Sequence, residues 1–444
     1  MNTKPKQTYG LFTVITMIVG IVIGSGIFFK TDNVLQSTNG NITLGILVFC
    51  LAALSIIFGS LTISSFAGLS DEAGGIITYA EFISKRFACA FGWFQSFVYL
   101  PALCVVVSWV VGIYACQMFG LPPTTSNHFL IGIAWAALCF LYNILSPRLG
   151  GLFQNAATII KLVPLIAIGV VGFAFSQPAA AFSVAAEPEG FHWLSAVGPI
   201  AFAFDGWIVS TSIASEVKNS KKNVPRALIM APVFILAAYL FYFIGVSTYL
   251  GPDRVIALGD ESVASMVSSL FGGFAAKATL VFVTVSVMGT VNGLTMGLIR
   301  MPYALARRDM LPKSGWFLKH KNELLCSGLL AAGVSVVWWA VHFFMTKYEL
   351  LPHSDISELV IIMTYALYAV LYIRVIMLHF KGKIKSRAHG LVFPVLAIAG
   401  SGFIIAGGFQ TRYFPVFALI SLIVMAAGYW NYKARSKRAA AGPH

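Results

Sequence analysis

Apolar residues run along this 444-residue chain in long blocks, separated by short polar or charged connections. Most blocks hold about 20 residues or more, the length that an α-helix needs to cross the hydrocarbon core of a bilayer. The pattern therefore predicts an all-α integral membrane protein with twelve transmembrane helices. They are expected near residues 9-31, 42-68, 88-118, 128-146, 153-176, 193-216, 227-250, 274-304, 325-346, 357-379, 390-409 and 414-432.

The composition agrees with this interpretation, since 58% of the residues are hydrophobic and only 10% are charged. These proportions exclude an ordinary soluble domain and a disordered chain. The first apolar block is too long for a cleavable signal peptide and has no small-residue cleavage site before the next element. We expect it to remain in the protein as the first span.

The first block contains an interruption within Ile23-Gly24-Ser25-Gly26-Ile27-Phe28. Two glycines and a serine weaken a helix, and an unpaired amide in hydrocarbon costs several kcal/mol, so such a break survives only where it lines a cavity. An opened helix presents free N–H groups on one half and free C=O groups on the other. Those groups suit the carboxylate and the ammonium of a zwitterion, which makes a small charged solute the predicted ligand.

A second interruption, Phe202-Ala203-Phe204-Asp205-Gly206-Trp207, falls in the sixth block. Five spans separate the two breaks, and an odd offset reverses the orientation of the second unit in the membrane. Spans 1 to 5 and 6 to 10 are therefore predicted to form an inverted repeat, with spans 11 and 12 outside it. Glycine and serine also serve as close-packing residues in membrane helices, and either break alone favours that alternative. The matched pair favours a transport site.

This organisation divides the chain into six parts, and their predicted bounds follow from the spans. They are a cytoplasmic N-terminus (1-8), the first five-helix repeat (9-176), an external loop (177-192), the second five-helix repeat (193-379), helices 11 and 12 (380-434) and a cytoplasmic C-terminus (435-444).

The formal net charge of +14 is distributed between the connections in a way that indicates topology. Nearly all Lys and Arg residues lie in the termini or in the even-numbered connections, so the positive-inside rule predicts that both termini are cytoplasmic. This distribution also argues against a nucleic-acid partner. The odd-numbered connections hold only Lys30, Arg254, Lys277, Lys347 and Arg412.

Lys161 is the one basic residue placed deep inside a predicted span, where a lysine is unfavourable by roughly 2.5 to 3.5 kcal/mol on insertion scales. One alternative is that its side chain snorkels toward the cytoplasm along Gln154 and Thr158. The other is that its ammonium bonds backbone carbonyls at the break in span 1 and so replaces a dissociable cation. If it loses its proton during the cycle, it could instead couple transport to H⁺.

Asp205 ends the first half of span 6, and three alternatives remain open for its carboxylate. It faces a bound cation, pairs with Lys161, or caps freed amides of the second half-helix. Phe202 and Trp207 are the aromatic neighbours of this break. Phe202 either packs in the core or acts as a lid that closes over the ligand.

Other classes of function find no support in the sequence. The chain lacks H-E-x-x-H, G-x-S-x-G and phosphate-binding glycine motifs, so we expect no enzyme. It also lacks the acid ring or carbonyl filter of a channel. The six cysteines show neither a disulfide framework nor metal-ligand spacing, and no metal or cofactor is expected.

Several motifs resemble the amino acid–polyamine–organocation superfamily and, within it, the L-type amino acid exchangers, including their bacterial members that exchange serine and threonine. The resemblance covers nearly the whole chain. It is carried by Ile23-Gly24-Ser25-Gly26-Ile27-Phe28, Gly74-Gly75 with Tyr79, Lys161, Asp205-Gly206-Trp207, Glu216-Val217-Lys218-Asn219, Asn223-Val224-Pro225-Arg226, Val291-Asn292-Gly293 and Arg307-Arg308-Asp309-Met310-Leu311-Pro312.

The resemblance implies a LeuT-type fold and sodium-independent exchange of a substrate held by main-chain groups. Carried onto this sequence, it places the α-carboxylate at the amides of Ser25 and Gly26, next to Gly24. It places the α-ammonium at the carbonyls of Val22, Phe202 and Asp205, next to Ala203. Phe202 matches an aromatic gate, with Trp207 beside it, and Lys161 matches the basic residue that replaces sodium.

The chain also departs from the family pattern. Ser215 and Ser220 stand where many relatives have Glu and Pro. The connection Gly120 to Asn127 has no cysteine, although animal relatives bond there to a heavy chain, so we expect no such partner. We expect a monomer, located in a bacterial inner membrane.

These observations predict an exchanger of small neutral amino acids such as Ser, Thr, Ala or Cys. The alternatives are a proton-coupled symporter, an exchanger of cationic or larger neutral amino acids, and an amino acid sensor that does not transport.

Overall fold

The computed structural model describes the greater part of the chain and is helical throughout the spans it describes. The described residues are 7–24, 26–70, 72, 74–176, 182, 193, 200, 203–318, 323–351, 355–408 and 413–440.

Within these residues, ten helices are long and apolar enough to cross a membrane. They coincide with ten of the twelve predicted spans, because hydrophobic length alone marks a spanning helix. They are α3 (Ile42–Leu69), α5 (Lys85–Phe119), α6 (Thr125–Leu145), α7 (Pro147–Phe175), α8 (Ser220–Leu250), α11 (Gly273–Arg307), α13 (Glu323–Lys347), α14 (Ile356–Phe380), α15 (Phe393–Gly408) and α16 (Phe414–Ala440). One turn of α5, Gln95–Tyr99, is a π-helix, and another π-turn, Ala388–Val392, leads into α15.

The first predicted span consists of two helices, α1 (Leu11–Val22) and α2 (Gly26–Ser37). The interruption lies where the glycines predict it. α2 continues beyond the predicted end at residue 31, because polar side chains there bond to the helix itself, as the Thr31 hydroxyl does to the Ile27 carbonyl at 2.8 Å. The chain leaves α2 through Asn39 and Gly40, both with positive φ angles.

The sixth predicted span is also interrupted. Ala203 and Phe204 are helical, and Gly206 then adopts a left-handed conformation with a φ angle of 87°. A 3₁₀ segment, Trp207–Glu216, follows it and is buried over most of its length. The predicted start of this span near residue 193 lies largely outside the described residues, as does most of the predicted external loop.

Short helices connect the long ones. α4 (Ile76–Glu81) precedes α5, and α12 (Ser314–Phe317) follows α11. α9 (Pro252–Leu258) and α10 (Ser262–Phe271) lie between α8 and α11. Gly40 approaches Pro252, so α9 lies against the end of α2.

Two helix starts differ from the prediction for a physical reason. α8 begins at Ser220 rather than near residue 227. Its first turns are helical although their side chains are polar, and the hydrophobic pattern does not reveal a polar helical turn. α7 begins at Pro147, a residue well suited to the first turn of a helix, and the hydrophobic pattern alone does not reveal that turn.

α1 lies at the centre of the bundle, where α7, α8, α11 and the 3₁₀ segment surround it. Most of its residues, from Thr16 to Val22, are buried, as expected of a helix that is apolar on every side. α15 and α16 are the least buried of the long helices, so they lie at the periphery.

Asn292 of α11 joins its own helix to α6 and α7. Its side-chain nitrogen donates to the Gln154 side chain at 2.8 Å and to the Gly150 carbonyl at 3.0 Å on α7. Its oxygen accepts from the Tyr142 hydroxyl at 2.6 Å and from the Asn143 amide at 2.9 Å on α6. A buried amide with all its bonds made fixes the mutual positions of α6, α7 and α11.

Candidate substrate site

The break between α1 and α2 is held open by the side chain of Lys161, which comes from α7. Its Nζ atom donates to the carbonyl of Gly20 at 2.7 Å and to that of Ile23 at 2.6 Å. The Thr290 hydroxyl of α11 lies 3.3 Å from the same nitrogen. Lys161 is completely buried. One ammonium therefore satisfies two carbonyls that the interrupted helix leaves without amide partners.

The oxygen atoms around Lys161 Nζ are arranged like the ligands of a small cation, and the lysine ammonium takes the place of that cation. Three oxygen atoms converge on Nζ, two from main-chain carbonyls and one from a hydroxyl, a set typical of hard metal ions. Among the described residues, no acidic side chain pairs with Lys161. The snorkelling alternative does not describe its position, because the ammonium points to the break and not to the membrane surface.

The two breaks touch each other at Gly26 and Ala203. A Cβ atom added at Gly26 would lie 2.6 Å from the Cα atom of Ala203, a distance that backbone atoms do not tolerate. Gly206 makes a similar approach to Ile21, and its φ angle of 87° also excludes most side chains. Glycine at these positions lets the two unwound segments lie in direct contact.

A small cavity lies between the breaks. Its polar wall comes from the breaks and its apolar wall from α5 and α11. The lining residues are Ile21, Val22, Gly24, Gly26, Leu103, Val107, Asp205, Gly206, Thr290 and Leu294. The cavity thus brings together main-chain groups of both interrupted spans, one carboxyl group and a few aliphatic side chains.

Asp205 is bonded to a tyrosine of α5 and not to Lys161. The Tyr99 hydroxyl donates to its Oδ2 atom at 2.6 Å, whereas Oδ1 is buried and accepts no hydrogen bond from the described residues. Of the alternatives that the sequence leaves open, pairing with Lys161 is not the one present. The carboxyl group faces the cavity instead.

Tyr239 of α8 links the ends of the two first half-helices. Its hydroxyl lies 2.8 Å from the carbonyl oxygen of Val22 and 2.7 Å from that of Ala203. A hydroxyl carries a single proton, so it donates to one of these oxygens at a time. The Val22 carbonyl also accepts from the Gly24 N–H at 2.8 Å, so it keeps a lone pair for a further donor only when the Tyr239 proton points to Ala203.

The remaining predicted site residues divide into two groups. Ser25 and Phe202 lie outside the described residues. Trp207 is fully buried and packs edge-on against Tyr368 of α14, with ring centroids 5.8 Å apart, so it supports the second break from behind and does not line the cavity.

A second polar cluster closes the bundle on the side where Tyr9 lies. The chain before α1 pairs with the chain after the 3₁₀ segment: Tyr9 N–H donates to the Glu216 carbonyl at 3.0 Å, and Lys218 N–H donates to the Tyr9 carbonyl at 2.8 Å. Arg300 of α11 binds the Glu216 carboxylate through Nε at 2.5 Å and Nη2 at 2.8 Å. These bonds join both interrupted spans to α11.

The Tyr9 side chain extends this cluster to α7. Its hydroxyl donates to the Pro147 carbonyl at 2.8 Å and accepts from Arg300 at 3.5 Å. Burial raises the pKa of the Tyr9 phenol to about 12, although the Arg300 guanidinium opposes this shift. The hydroxyl therefore remains a donor across the physiological pH range.

The interface between α1 and α7 is unusually polar for the centre of a membrane protein. The Thr16 hydroxyl lies 2.6 Å from the Asn155 side-chain oxygen, and the Thr158 hydroxyl lies 3.0 Å from the Thr16 carbonyl. Lys161 continues this row to the break. The row leads from the Tyr9 side of the bundle toward the cavity.

Sequence reasoning missed several residues of the site, namely Tyr99, Tyr239 and Thr290, and also the Tyr9 and Arg300 contacts. Tyrosine and threonine within an apolar block look the same whether they bond to a neighbouring turn or to another helix. Arg300 gave a signal that could have been used, because it precedes the end of a predicted span by four residues.

A helical membrane protein whose cavity lies between two interrupted spans has the construction of a solute transporter. The family comparison agrees: the chain belongs to the amino acid permease family, which matches residues 9–431 and is part of the amino acid–polyamine–organocation superfamily. It is accordingly a transport protein and not an enzyme.

Individual relatives are similar over much of their length. The serine/threonine exchanger SteT of Bacillus subtilis (strain 168) is 27% identical over 440 residues, which cover 98% of each chain. The large neutral amino acids transporter small subunit 2 of Homo sapiens is 25% identical over 96% of this chain and 82% of its own. The Asc-type amino acid transporter 1 of Homo sapiens is 28% identical over 69% of this chain and 60% of its own.

Proposed function

We propose that this protein is a sodium-independent exchanger of small neutral α-amino acids that works by alternating access. The observation that carries the proposal is the position of Lys161, whose ammonium bonds the Gly20 and Ile23 carbonyls and the Thr290 hydroxyl. A cation fixed covalently at the break leaves no need for one from solution. Similarity to SteT supports exchange and supports serine and threonine as substrates.

The substrate would lie in the cavity with its two charged groups on the two breaks. Its carboxylate would accept hydrogen bonds from the amides of Ser25 and Gly26, at the positive end of α2. Its ammonium would donate to the carbonyls of Val22, Phe202 and Asp205. Gly24 and Ala203 would allow the backbone to approach, and the contact between Gly26 and Ala203 supports this geometry.

The apolar wall of the cavity favours small side chains. Leu103 and Val107 of α5 and Leu294 of α11 face the two breaks, with no basic side chain among the lining residues. A serine or alanine side chain would require the least additional space beside these aliphatic groups. An acidic substrate would have to bury a second negative charge near Asp205, which is unfavourable.

The architecture proposed for this function has twelve spans, with helices 1 to 5 and 6 to 10 as inverted repeats in a LeuT-type fold. Ten long helices and two interrupted segments, five spans apart, support it. In this scheme residues 1-8 and 435-444 are the cytoplasmic termini, 9-176 and 193-379 the repeats, 177-192 an external loop and 380-434 the additional helices. The Lys and Arg distribution supports cytoplasmic termini. Similarity to SteT of Bacillus subtilis supports a location in a bacterial inner membrane.

Opening and closing are assigned to the groups around the breaks. Phe202 would act as a lid over the substrate, and Trp207 would carry movement of the second break to α14 through its contact with Tyr368. Lys161 would couple α1 to α7. The cluster of Tyr9, Glu216 and Arg300 would close the cytoplasmic side.

Transport in liposomes tests the proposal directly. Purified protein is reconstituted, loaded with unlabelled serine and supplied with labelled serine, with Na⁺ replaced by N-methylglucamine on both sides. We expect rapid uptake that requires internal amino acid and is unchanged by Na⁺. Uptake that proceeds equally well without internal amino acid would exclude exchange, and uptake abolished by removing Na⁺ would exclude the role given to Lys161.

A second candidate is proton-coupled symport, favoured by the same buried lysine. Among the described residues Lys161 has no acidic partner, so loss of its proton would remove a buried charge. In this case the hydrogen bonds to the Gly20 and Ile23 carbonyls would lose the positive charge that strengthens them, and the break would relax. A pH gradient imposed on liposomes without internal amino acid would then drive serine accumulation, and its failure to do so would eliminate this candidate.

We also propose that the single chain is sufficient for transport, as a monomer without a heavy chain. The segment from Gly120 to Asn127 carries no cysteine through which such a chain could be bonded. Activity of the purified chain in liposomes would support this, whereas activity only after addition of a second polypeptide would contradict it.

A further inference from the structure

The carboxyl group of Asp205 is a buried acid whose charge has no counterpart among the described residues. The side chain is only 5% exposed and faces the cavity. Tyr99 donates to Oδ2, and Oδ1 has no hydrogen-bond donor. No Lys or Arg of the described residues forms an ion pair with it.

The groups that face Asp205 are phenols. Tyr99 comes from α5, and Tyr365 and Tyr368 of α14 lie close enough to interact with the carboxylate electrostatically. Lys161, the basic residue of the transport site, is already bonded to three other oxygen atoms. A negative charge at Asp205 is therefore stabilised only by neutral donors, the Tyr99 hydroxyl and the Gly206 N–H, and by no cation.

Burying an ion without a counter-ion is strongly unfavourable, and removing a partner from a buried pair leaves this penalty on the remaining group. The α-ammonium of an amino acid is a cation with three donors. In the proposed binding pose it lies at the carbonyl of the same residue. Substrate would then provide both the counter-charge and the donor that Oδ1 lacks.

We propose that Asp205 makes transport an obligatory exchange, because its carboxylate opposes closure of the site unless a substrate ammonium is bound. This inference rests on the proposed function and adds a residue to it. With substrate bound, the charges of Asp205 and the ammonium compensate, and the site passes through its closed conformation. Without substrate, closure isolates the carboxylate from water, so the unloaded protein seldom returns across the membrane.

The role differs from that of the main-chain carbonyls. Carbonyls at the breaks bind the ammonium whether or not the aspartate is charged, so they supply affinity. The charge of Asp205 supplies a difference between the loaded and unloaded protein. Removing the charge while keeping the shape should therefore weaken serine binding and, in addition, permit net transport by the unloaded protein.

The test compares two rates of efflux from liposomes loaded with labelled serine at pH 7.5. One is efflux into buffer that contains serine, and the other is efflux into buffer without amino acid. For the unaltered protein we expect the first to exceed the second by on the order of tenfold or more. For Asp205→Asn we expect efflux into serine-free buffer to rise until the two rates differ less than about twofold.

Tyr99→Phe is the matched control, because it removes the hydroxyl from Oδ2 and leaves the charge. It should keep the ratio of the two rates as high as in the unaltered protein. An equal loss of the ratio in Tyr99→Phe would show that loosening of this region, and not the charge, permits the unloaded return. Asp205→Ser serves as a second neutral variant if Asp205→Asn is not recovered folded.

The outcomes separate this inference from the proposed function. If the unaltered protein does not exchange serine at all, the proposed function fails. If it exchanges strictly and Asp205→Asn does so too, with normal serine binding, only the inference fails. Net efflux by the unaltered protein that rises steeply as the pH falls would also overturn it, because a proton would then be compensating Asp205 in place of the substrate.

Discussion

The ammonium of Lys161 lies 2.6 Å from the carbonyl oxygen of Ile23, so a side chain of α7 completes the end of α1 at the point where that helix stops. The same nitrogen reaches Gly20 one turn earlier. Helix α1 is therefore tied to α7 at its interrupted end by a charged group, and the state of this contact is expected to govern transport.

Replacing Lys161 by Ala should reduce serine exchange by at least about tenfold while the protein remains folded. The two carbonyls lose a charge-assisted donor, each such bond being worth about 1.5–3 kcal/mol. The measurement is labelled-serine exchange in liposomes, with the melting temperature recorded for the same preparation. Lys383→Ala is the control, because Lys383 is exposed in a connection between helices. Normal exchange by Lys161→Ala would refute the role given to this lysine.

Gly26→Leu should abolish serine binding. Its first side-chain atom would lie 2.6 Å from the Ala203 Cα atom, so the two breaks would have to separate and the amides that face the carboxylate would move. Binding of labelled serine to purified protein is the measurement.

Gly333→Leu is the matched control for this variant. Gly333 lies on the exposed face of α13, and an added Cβ atom has no neighbour within 4 Å. Retained affinity in Gly26→Leu, or equal losses in both variants, would contradict the assigned site.

Tyr239→Phe should weaken the coupling between the two first half-helices. Loss of the hydroxyl removes the donor shared by Val22 and Ala203, a hydrogen bond worth about 0.5–1.5 kcal/mol, while the Val22 carbonyl keeps its bond from the Gly24 N–H. We expect the apparent affinity for serine to fall by roughly tenfold, because these carbonyls lie beside the ammonium position. Tyr348→Phe, on an exposed ring, should change nothing. A change in protein yield alone, with normal affinity, would mean that the hydroxyl serves folding only.

Glu216→Ala should lower the stability of the fold strongly, by about 3–5 kcal/mol, because it leaves the buried Arg300 guanidinium without its carboxylate. The exposed pair of Arg435 and Asp309 provides the comparison, and Asp309→Ala should cost no more than about 1 kcal/mol. Thermal unfolding in detergent measures both. Equal shifts for the two variants would show that the Glu216 pair carries no special role.

Tyr9 provides a prediction about pH. Because the pKa of its phenol is raised to about 12 in the folded protein, the stability that its neutral hydroxyl contributes is fully present below pH 10. It should be lost as the pH rises from about 10 toward 12. The difference in melting temperature between the unaltered protein and Tyr9→Phe should be constant from pH 6 to 9 and shrink above pH 10. A difference that changes between pH 6 and 9 would contradict this assignment.

The sequence predicts the long helices well, because each is recorded as an uninterrupted apolar block. It also predicts the position of the first break, since Gly24 and Gly26 lie together in such a block. For Lys161 it leaves two alternatives, snorkelling or bonding of backbone carbonyls, and the structure has the second. Which oxygen atoms Lys161 finds depends on how α7 packs against α1, and no pattern within either helix records that.

The partner of Asp205 is likewise a contact between helices that the sequence does not predict. From the sequence, a buried acid and a buried lysine near two breaks make pairing a natural hypothesis. In the structure Tyr99 holds the carboxyl group and Lys161 is bonded elsewhere. The partner of Asp205 is determined by the packing of α5, and in the sequence Tyr99 of that helix looks like any other aromatic residue of an apolar block.

The row of Thr16, Asn155 and Thr158 between α1 and α7 affects how easily water enters between these two helices. Water can take over each of these hydrogen bonds when the helices part, whereas separating two leucine faces would expose hydrocarbon to water. The barrier to hydrating this interface is therefore low along its length, and the strongest resistance lies at its ends, where Lys161 and Tyr9 hold their carbonyls.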